Sequence, residues 1–292
     1  MSAGVALSLG VSGHSCASPR HLGLGGGPAL SFPAGWALIE HPRHGAVLFD
    51  CGYGAAARAA MRRGLRRIYR HAIHACSAAH TDAASLLQQR GLRCADIGTV
   101  VLSHFHPDHI GGLAPFAKAR FVVHAQAWRQ VQRGGWFGLL HAQIWKELLP
   151  ADFAARLDCL DERGAGALDG DLAGFGPGWD LFGDASVVVL PLPGHARGQI
   201  GLALRTVEGE RAVLAADAFW RREQLQREVE LPWLTRWLAV DDAAAYRRTV
   251  QRLAQFQREH PQAWVIPAHC ADTLGRWRVR HPHAVLDEPA PL

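Results

Sequence analysis

The chain has 292 residues, 49% of them apolar, enough for one large domain or two small ones around a dry core. Its net charge of +5 comes almost wholly from arginine, since Lys118 and Lys146 are the only lysines; such a balance attracts anionic partners without choosing among them. No stretch stays apolar and uncharged long enough to cross a bilayer, and the N-terminus lacks the basic start of a secretory signal, so a membrane protein is excluded and a cytoplasmic one expected.

The six cysteines, at 16, 51, 76, 94, 159 and 270, show no CxxC spacing and are expected to be reduced thiols. Cys16 and Cys51 carry no assignable role, and Cys270 reads as a chance neighbour of His269.

Residues 1–35 are rich in Gly, Ser and Pro. Beyond Val5, Leu7 and Leu9 they offer few apolar positions at strand spacing, which predicts one strand and then an irregular loop. Residues 36–40 and 46–50, with Pro42 and Gly45 between them, predict a hairpin ending at Asp50. A helix is expected over 55–75, where Met61, Leu65, Ile68 and Ala72 recur at three- and four-residue intervals. Its other side carries Arg62, Arg63, Arg66, Arg67 and Arg70, a solvated face or a docking surface for an anionic partner. Residues 81–90 predict a second helix, with Thr81 as its N-cap and Gly91 as its stop.

The apolar run Val100-Val101-Leu102 reads as a buried strand and leads straight into Ser103-His104-Phe105-His106-Pro107-Asp108-His109-Ile110-Gly111-Gly112. Alternation along extended backbone lets His104 and His106 point the same way. Pro107 favours a turn, and Asp108 and His109 fall at a helix start. Four potential ligands thus gather around one point. Neutral imidazole and carboxylate together suit Zn, Fe, Mn or Co, and such crowding beside a dry strand is costly without a cation. This is a candidate metal site.

Downstream, 121–124 predicts a strand and 125–156 a helical tract holding Trp128, Trp136, Phe137, Trp145 and Phe153, either core aromatics or the wall of an apolar substrate pocket. Residues 161–180 read as a surface loop. Strands follow at 186–190, 200–205 and 211–216, then a candidate lid of Phe219, Trp220, Leu225, Leu231, Trp233, Leu234, Trp237 and Leu238. Asp242 opens a helix to about Glu259, and 264–267 is the last predicted strand.

His195 closes Leu190-Pro191-Leu192-Pro193-Gly194-His195, Asp217 closes Val213-Leu214-Ala215-Ala216-Asp217, and His269 closes Val265-Ile266-Pro267-Ala268-His269. With the His104-x-His106-x-Asp108-His109 turn and the early Asp50, this ordered set resembles the metallo-β-lactamase-fold hydrolase superfamily, and is similar in particular to its lactonase and glyoxalase II branches. The resemblance implies an α+β fold, a four-layer αββα sandwich with metals at one edge. It covers most of the chain, read as one domain over 1–292 with Trp-rich helical insertions around 125–156 and 219–240. It further implies two divalent cations, zinc foremost, with iron or manganese as alternatives. His104, His106 and His195 would hold one, Asp108, His109 and His269 the other, and Asp217 would bridge them. Such a pair lowers the pKa of a shared water towards neutrality and polarises an acyl or phosphoryl oxygen. Asp108 would also steer that water and shuttle a proton, and Asp50 would orient a ligand from behind.

Trp220 stands where the similar lactonase pattern has a tyrosine, and an indole cannot present a phenolic hydroxyl to an oxyanion. The expected activity is hydrolysis of an ester, lactone or thioester with an apolar acyl part, covered by Phe219, Trp220, Trp233 and Trp237. The expected partner is a small-molecule substrate, a carrier-linked acyl group being one form of it; nucleic acid is disfavoured because no aromatic–basic motif of a known type is present. The alternatives are a phosphodiesterase or nuclease, a mononuclear-iron persulfide dioxygenase and a non-enzymatic regulator on the same fold.

Overall fold

The computed structural model describes residues 4–227 and 229–286. Strands β1 (Ala6–Ala17), β2 (Leu30–His41), β3 (Gly45–Phe49), β4 (Ile97–Val101), β5 (Arg120–His124) and β6 (Leu157–Leu160) run in sequence across one sheet. Strands β7 (Trp179–Asp180), β8 (Val187–Pro191), β9 (Ile200–Arg205), β10 (Arg211–Ala216) and β11 (Trp264–Pro267) form the second, in the order β11-β10-β9-β8-β7. The last strand, β12 (Val285–Leu286), returns to pair in parallel with β1 at the edge of the first sheet.

Side-chain alternation builds the layers. Val47 and Phe49 of β3 face Leu202, Leu204 and Leu214 of the other sheet in a core between the two, whereas Leu48 points to the opposite side. On that outer side Leu48, Val100 and Phe121 meet Ala57 of α1 (Ala55–Ala60), Leu86 and Leu87 of α3 (Ala83–Gln89) and Val131 of α5 (Ala125–Arg133). Between α1 and α3 lies α2 (Arg66–Ala72), and between α3 and α5 the single turn α4 (Pro107–Ile110). The second sheet turns Val213, Ala215 and Val265 outward against Tyr246, Val250, Leu253 and Phe256. Those four lie on α9 (Ala243–Glu259), whose first turn is capped by the Asp242 carboxylate accepting from the Ala245 N–H at 2.9 Å. The result is helix, sheet, sheet, helix, the αββα sandwich of the metallo-β-lactamase fold.

Several expectations need correction. Residues 1–35 hold a twelve-residue β1 and the start of β2, because the polar residues of β1 alternate with apolar ones that face the core. The helix expected over 55–75 is broken into α1 and α2, since Gly64 takes a left-handed φ of +51° and turns the chain. Met61 stays buried, but Leu65 and Ile68 end up exposed, Ile68 by 64%. The cap of α3 is Asp82, which accepts from the Ser85 N–H at 3.0 Å; Thr81 belongs to a preceding 3-10 turn. The 125–156 tract is α5, then α6 (Trp136–His141), then 3-10 turns. The 219–240 segment carries two short helices, α7 (Arg222–Arg227) and α8 (Trp233–Ala239), and α10 (Ala271–Arg280) was not expected. The described cysteines are free, and among the described residues no helix is long and apolar enough to cross a membrane.

The core between the sheets makes the first prediction. Leu202 is fully buried there, so Leu202→Ala should destabilise the protein by roughly 2–5 kcal/mol in chemical denaturation. The exposed Val279 serves as control: Val279→Ala should stay within about 0.5 kcal/mol.

Candidate metal centre

Each candidate ligand sits just past the C-terminal end of a strand, where the ladder stops and side chains are free to converge. β4 delivers His104 and His106, β10 delivers Asp217, β11 delivers His269, and β8 leads through Pro193 and Gly194 to His195. Pro107 at the first position of α4 stops the extended run, and the turn brings Asp108 and His109 to the same place. Two glycines are required by close approach. A Cβ on Gly112 would lie 2.5 Å from the Cys51 carbonyl oxygen, and one on Gly194, at φ +134°, would lie 2.2 Å from the Tyr246 nitrogen. Asp50 and Ala216, at the two strand ends that carry site carboxylates, hold left-handed φ values of +60° and +47° without being glycine, as His74, Gln143 and Ala185 do elsewhere.

The donors fall into two adjacent groups. His104, His106, His195 and Asp217 offer one atom each within 4.8 Å of one another, and Asp108, His109 and His269 do the same. Asp217 touches both groups. Its Oδ2 lies 3.3 Å from His195 Nε2 and 3.0 Å from His269 Nε2, and its Oδ1 lies 3.2 Å from His109 Nε2. Asp108 Oδ2 is 3.4 Å from His269 Nε2.

A second ring of contacts fixes which nitrogen of each imidazole faces inward. Asp50 Oδ1 accepts from the Ser103 N–H at 2.8 Å, and its Oδ2 accepts from Ser103 Oγ at 2.7 Å and from His109 Nδ1 at 2.8 Å. Because Ser103 Oγ gives its proton to Asp50, it can only accept from His104 Nδ1, 2.9 Å away. His269 Nδ1 donates to the Pro33 carbonyl at 2.7 Å. All three rings thus have Nδ1 committed outward and turn Nε2 to the centre, where the Nε2 of His109 and of His269 faces the Asp217 carboxylate.

Charge and burial reinforce this. Burial drives the pKa of His104 and His106 down and that of His195 to about 3, leaving those rings as neutral ligands. For His109 and His269 burial works the same way but loses to the Asp217 carboxylate, with Asp50 adding at His109, and both are raised. Burial pushes Asp217 up, yet His269, His109 and His195 hold it well below the usual carboxylate range.

The residues fit a cation. His104 Nε2 is buried without a hydrogen-bond partner among the described residues, and His109 Nε2 and Asp217 Oδ1, 3.2 Å apart, have no partner there but each other. His106 Nδ1 and His195 Nε2 stand 3.1 Å apart and, with both rings held neutral, share one N–H···N hydrogen bond, which leaves His195 Nδ1 buried without a partner among the described residues. Buried polar atoms left without partners at one point are costly unless a cation takes them up.

A cavity of about 810 Å³ opens over His104, His106 and His195. Phe105, Ile144, Leu238 and Val240 give it apolar wall; Gln126, Arg129, Gln130 and Arg133 of α5 give it polar wall. The four residues expected to cover the substrate are not brought together. Phe219 is fully buried in the outer core (0% exposed), turned away from the site. Trp220 packs against the ligands, its ring 5.6 Å from that of His195 and its Nε1–H donating to Asp217 Oδ2 at 3.3 Å. Trp233 and Trp237 on α8 are 71% and 60% exposed and neither lines the cavity, although the Trp237 ring packs edge-on against His141 of its wall, 5.7 Å away. Arg62, Arg63, Arg67 and Arg70 are exposed away from it, and Arg66 pairs with Glu147 and covers the Trp145 ring.

Ser103, the Pro33 carbonyl and the α5 arginines went unread in the sequence. Ser103 carries a signal in retrospect, a hydroxyl between the strand and the first histidine. Cys51 has a role as well: its thiol donates to the His109 carbonyl at 3.1 Å, tying β3 to the metal turn. Cys270 is buried at the start of α10, and Cys16 is half-buried in β1.

Sandwich and donor cluster together place the protein among the metal-dependent hydrolases. It belongs to the metallo-beta-lactamase superfamily, whose profile matches residues 36–269. The chain is 30% identical over 253 residues to a Mycobacterium tuberculosis protein described as "Probable metallo-hydrolase Rv2300c", an alignment covering 80% of this chain and 74% of that one. It is 25% identical to the N-acyl homoserine lactonase AttM of Rhizobium radiobacter over 64% of each chain. In three dimensions it matches an N-acyl homoserine lactone hydrolase, solved with the product N-hexanoyl-L-homoserine at its catalytic metal centre, with TM-score 0.68, 17% identity and coverage of 94% of this chain and 97% of that one.

The ring behind the ligands makes the second prediction. Asp50→Asn keeps the shape but replaces a carboxylate oxygen by an amide nitrogen facing His109 and Ser103. Affinity for zinc, read by competition with a chromophoric chelator, should fall about 10- to 100-fold. An unchanged affinity would separate Asp50 from the site.

Proposed function

We propose that the protein is a dinuclear metal-dependent hydrolase of carboxylic esters, lactones or thioesters, acting within one sandwich domain. The observation that carries this reading is the pair of donor groups sharing Asp217 beneath a single cavity. His104, His106 and His195 would hold one cation, Asp108, His109 and His269 the other, with Asp217 spanning both. Five imidazoles and two carboxylates make zinc the favoured metal, and seven donors exceed what a mononuclear iron site uses. When bound, two such cations supply an activated water and polarise a carbonyl oxygen.

The chain's own residues do the rest. The cavity orients the acyl group, with Phe105, Ile144, Leu238 and Val240 excluding water from its apolar part. The water oxygen bonds to the carbonyl carbon, the carbon–oxygen or carbon–sulfur bond breaks, and the proton released by the water must reach the leaving group. Asp108 is the more exposed of the two paired carboxylates, with 13% of its side chain accessible against 4% for Asp217, and is the group placed to carry that proton. Trp220 holds Asp217 through its indole N–H and supplies packing where the similar lactonase pattern has a phenol. Relatives that hydrolyse N-acyl homoserine lactones make a lactone the first substrate class to try.

The test is metal analysis of the purified protein beside a panel of p-nitrophenyl esters, thioesters, lactones and phosphodiesters. Two metals per chain with turnover of the acyl compounds is the expected result. His106→Ala and Asp217→Ala should lower metal content and abolish turnover together. Phosphodiester turnover alone, or one iron with oxygen uptake, would overturn the reading.

A further inference from the structure

The cavity over the donors carries more positive charge than ester hydrolysis requires. Its wall includes Arg129, Arg133 and Arg197 against one wall carboxylate, Asp241. That carboxylate is already taken: Arg197 Nε and a terminal nitrogen each reach an Asp241 oxygen at 3.3 Å. Arg129 and Arg133 lie one helical turn apart on α5, and no carboxylate among the described residues pairs with either. Like charges at this spacing oppose helix formation, so the pair weakens the element it stands on while facing the substrate space. Two guanidinium groups on one wall suit an oxyanion that accepts from both.

Resting on the hydrolase reading above, we infer that the substrate carries a second, anionic group remote from the scissile carbonyl, a carboxylate or a phosphate, held by Arg129 and Arg133. The carbonyl then sits over His104, His106 and His195, and Phe105 and Ile144 lie beside the connecting carbons. The substrate class becomes an ω-carboxy or ω-phospho ester, lactone or thioester rather than a plain fatty acyl compound. An exposed pair of this kind acts through KM, because it is remote from the reacting atoms and binds ground and transition states alike.

The experiment compares p-nitrophenyl butyrate with p-nitrophenyl hemiglutarate, on wild type and on the Arg129→Gln/Arg133→Gln double variant. Wild type should show a lower KM for the hemiglutarate, and the double variant should shrink that preference roughly tenfold. Added salt should erode the preference in wild type more than in the variant. Arg129→Lys/Arg133→Lys should retain part of it, separating charge from packing. Calorimetric binding of glutaramate against butyramide, which lacks the anion, reads the same preference without turnover, so it holds even where the ester panel fails and the hydrolase reading falls. Substituting 3-phosphonopropionamide for glutaramate distinguishes the two anions: tighter binding assigns phosphate, weaker binding assigns carboxylate. Equal binding of glutaramate and butyramide by wild type, or a preference untouched in the double variant, would overturn the inference.

Discussion

Everything in this fold answers to the burial of five imidazoles and two carboxylates at one edge of the sandwich. Little of them is left accessible, and neighbouring protein atoms satisfy mainly their outward-facing sides. Inward, they face chiefly one another. The protein balances this with a split in protonation: burial keeps His104 and His195 neutral, while Asp217 keeps His109 and His269 raised. Divalent cations would do that job better than protons, because each ion accepts several lone pairs at once. The strained backbone at Asp50 and Ala216 is stored where that gain would be collected.

Proximity of donors alone does not make such a site, and the same molecule supplies the contrast. His41, His44 and Asp184 also come within ligand distance of one another, at the far end of the hairpin. Yet His41 Nδ1 accepts the backbone N–H of Arg43 and of His44, at 3.0 and 3.2 Å, and its Nε2 meets Ser186 Oγ at 2.9 Å. Asp184 is bound by Ser186 and by the Arg43 guanidinium, and its pKa sits at about 2. Both carboxylate and imidazole have their partners, so the cluster closes a turn. The centre beneath the cavity differs in having donors whose partners are missing.

The ligand positions were legible in the sequence because each follows a short apolar run, and the end of a buried strand is the place where polar side chains can gather without breaking a ladder. The sandwich was legible through the family resemblance that those ordered positions carry. Spacing said nothing about Gly64, whose left-handed φ splits a stretch with good helical periodicity and leaves Ile68 in solvent. The candidate lid failed through a different cause. Closeness in sequence to Asp217 is not closeness in space: the chain turns Phe219 into the outer core one residue before Trp220 reaches the ligands. Trp233 and Trp237 are then largely exposed on α8. Aromatic residues drew attention to the wrong wall, while the arginines that line the cavity sat unremarked on α5.

That division has a physical basis. The donors stand on strand ends of two sheets whose shared core fixes them, and moving any one would cost packing between the layers. The cavity wall comes from α5, the segment after it and the end of α8, elements that lie over the sandwich rather than in it. Residues there can change without disturbing the centre, so chemistry and selectivity are carried by separate parts of the chain. Ligand geometry therefore constrains the reaction class, whereas the charge of the wall constrains the compound. A neutral acyl chain and an anionic one would meet the same seven donors, and only Arg129 and Arg133 would tell them apart.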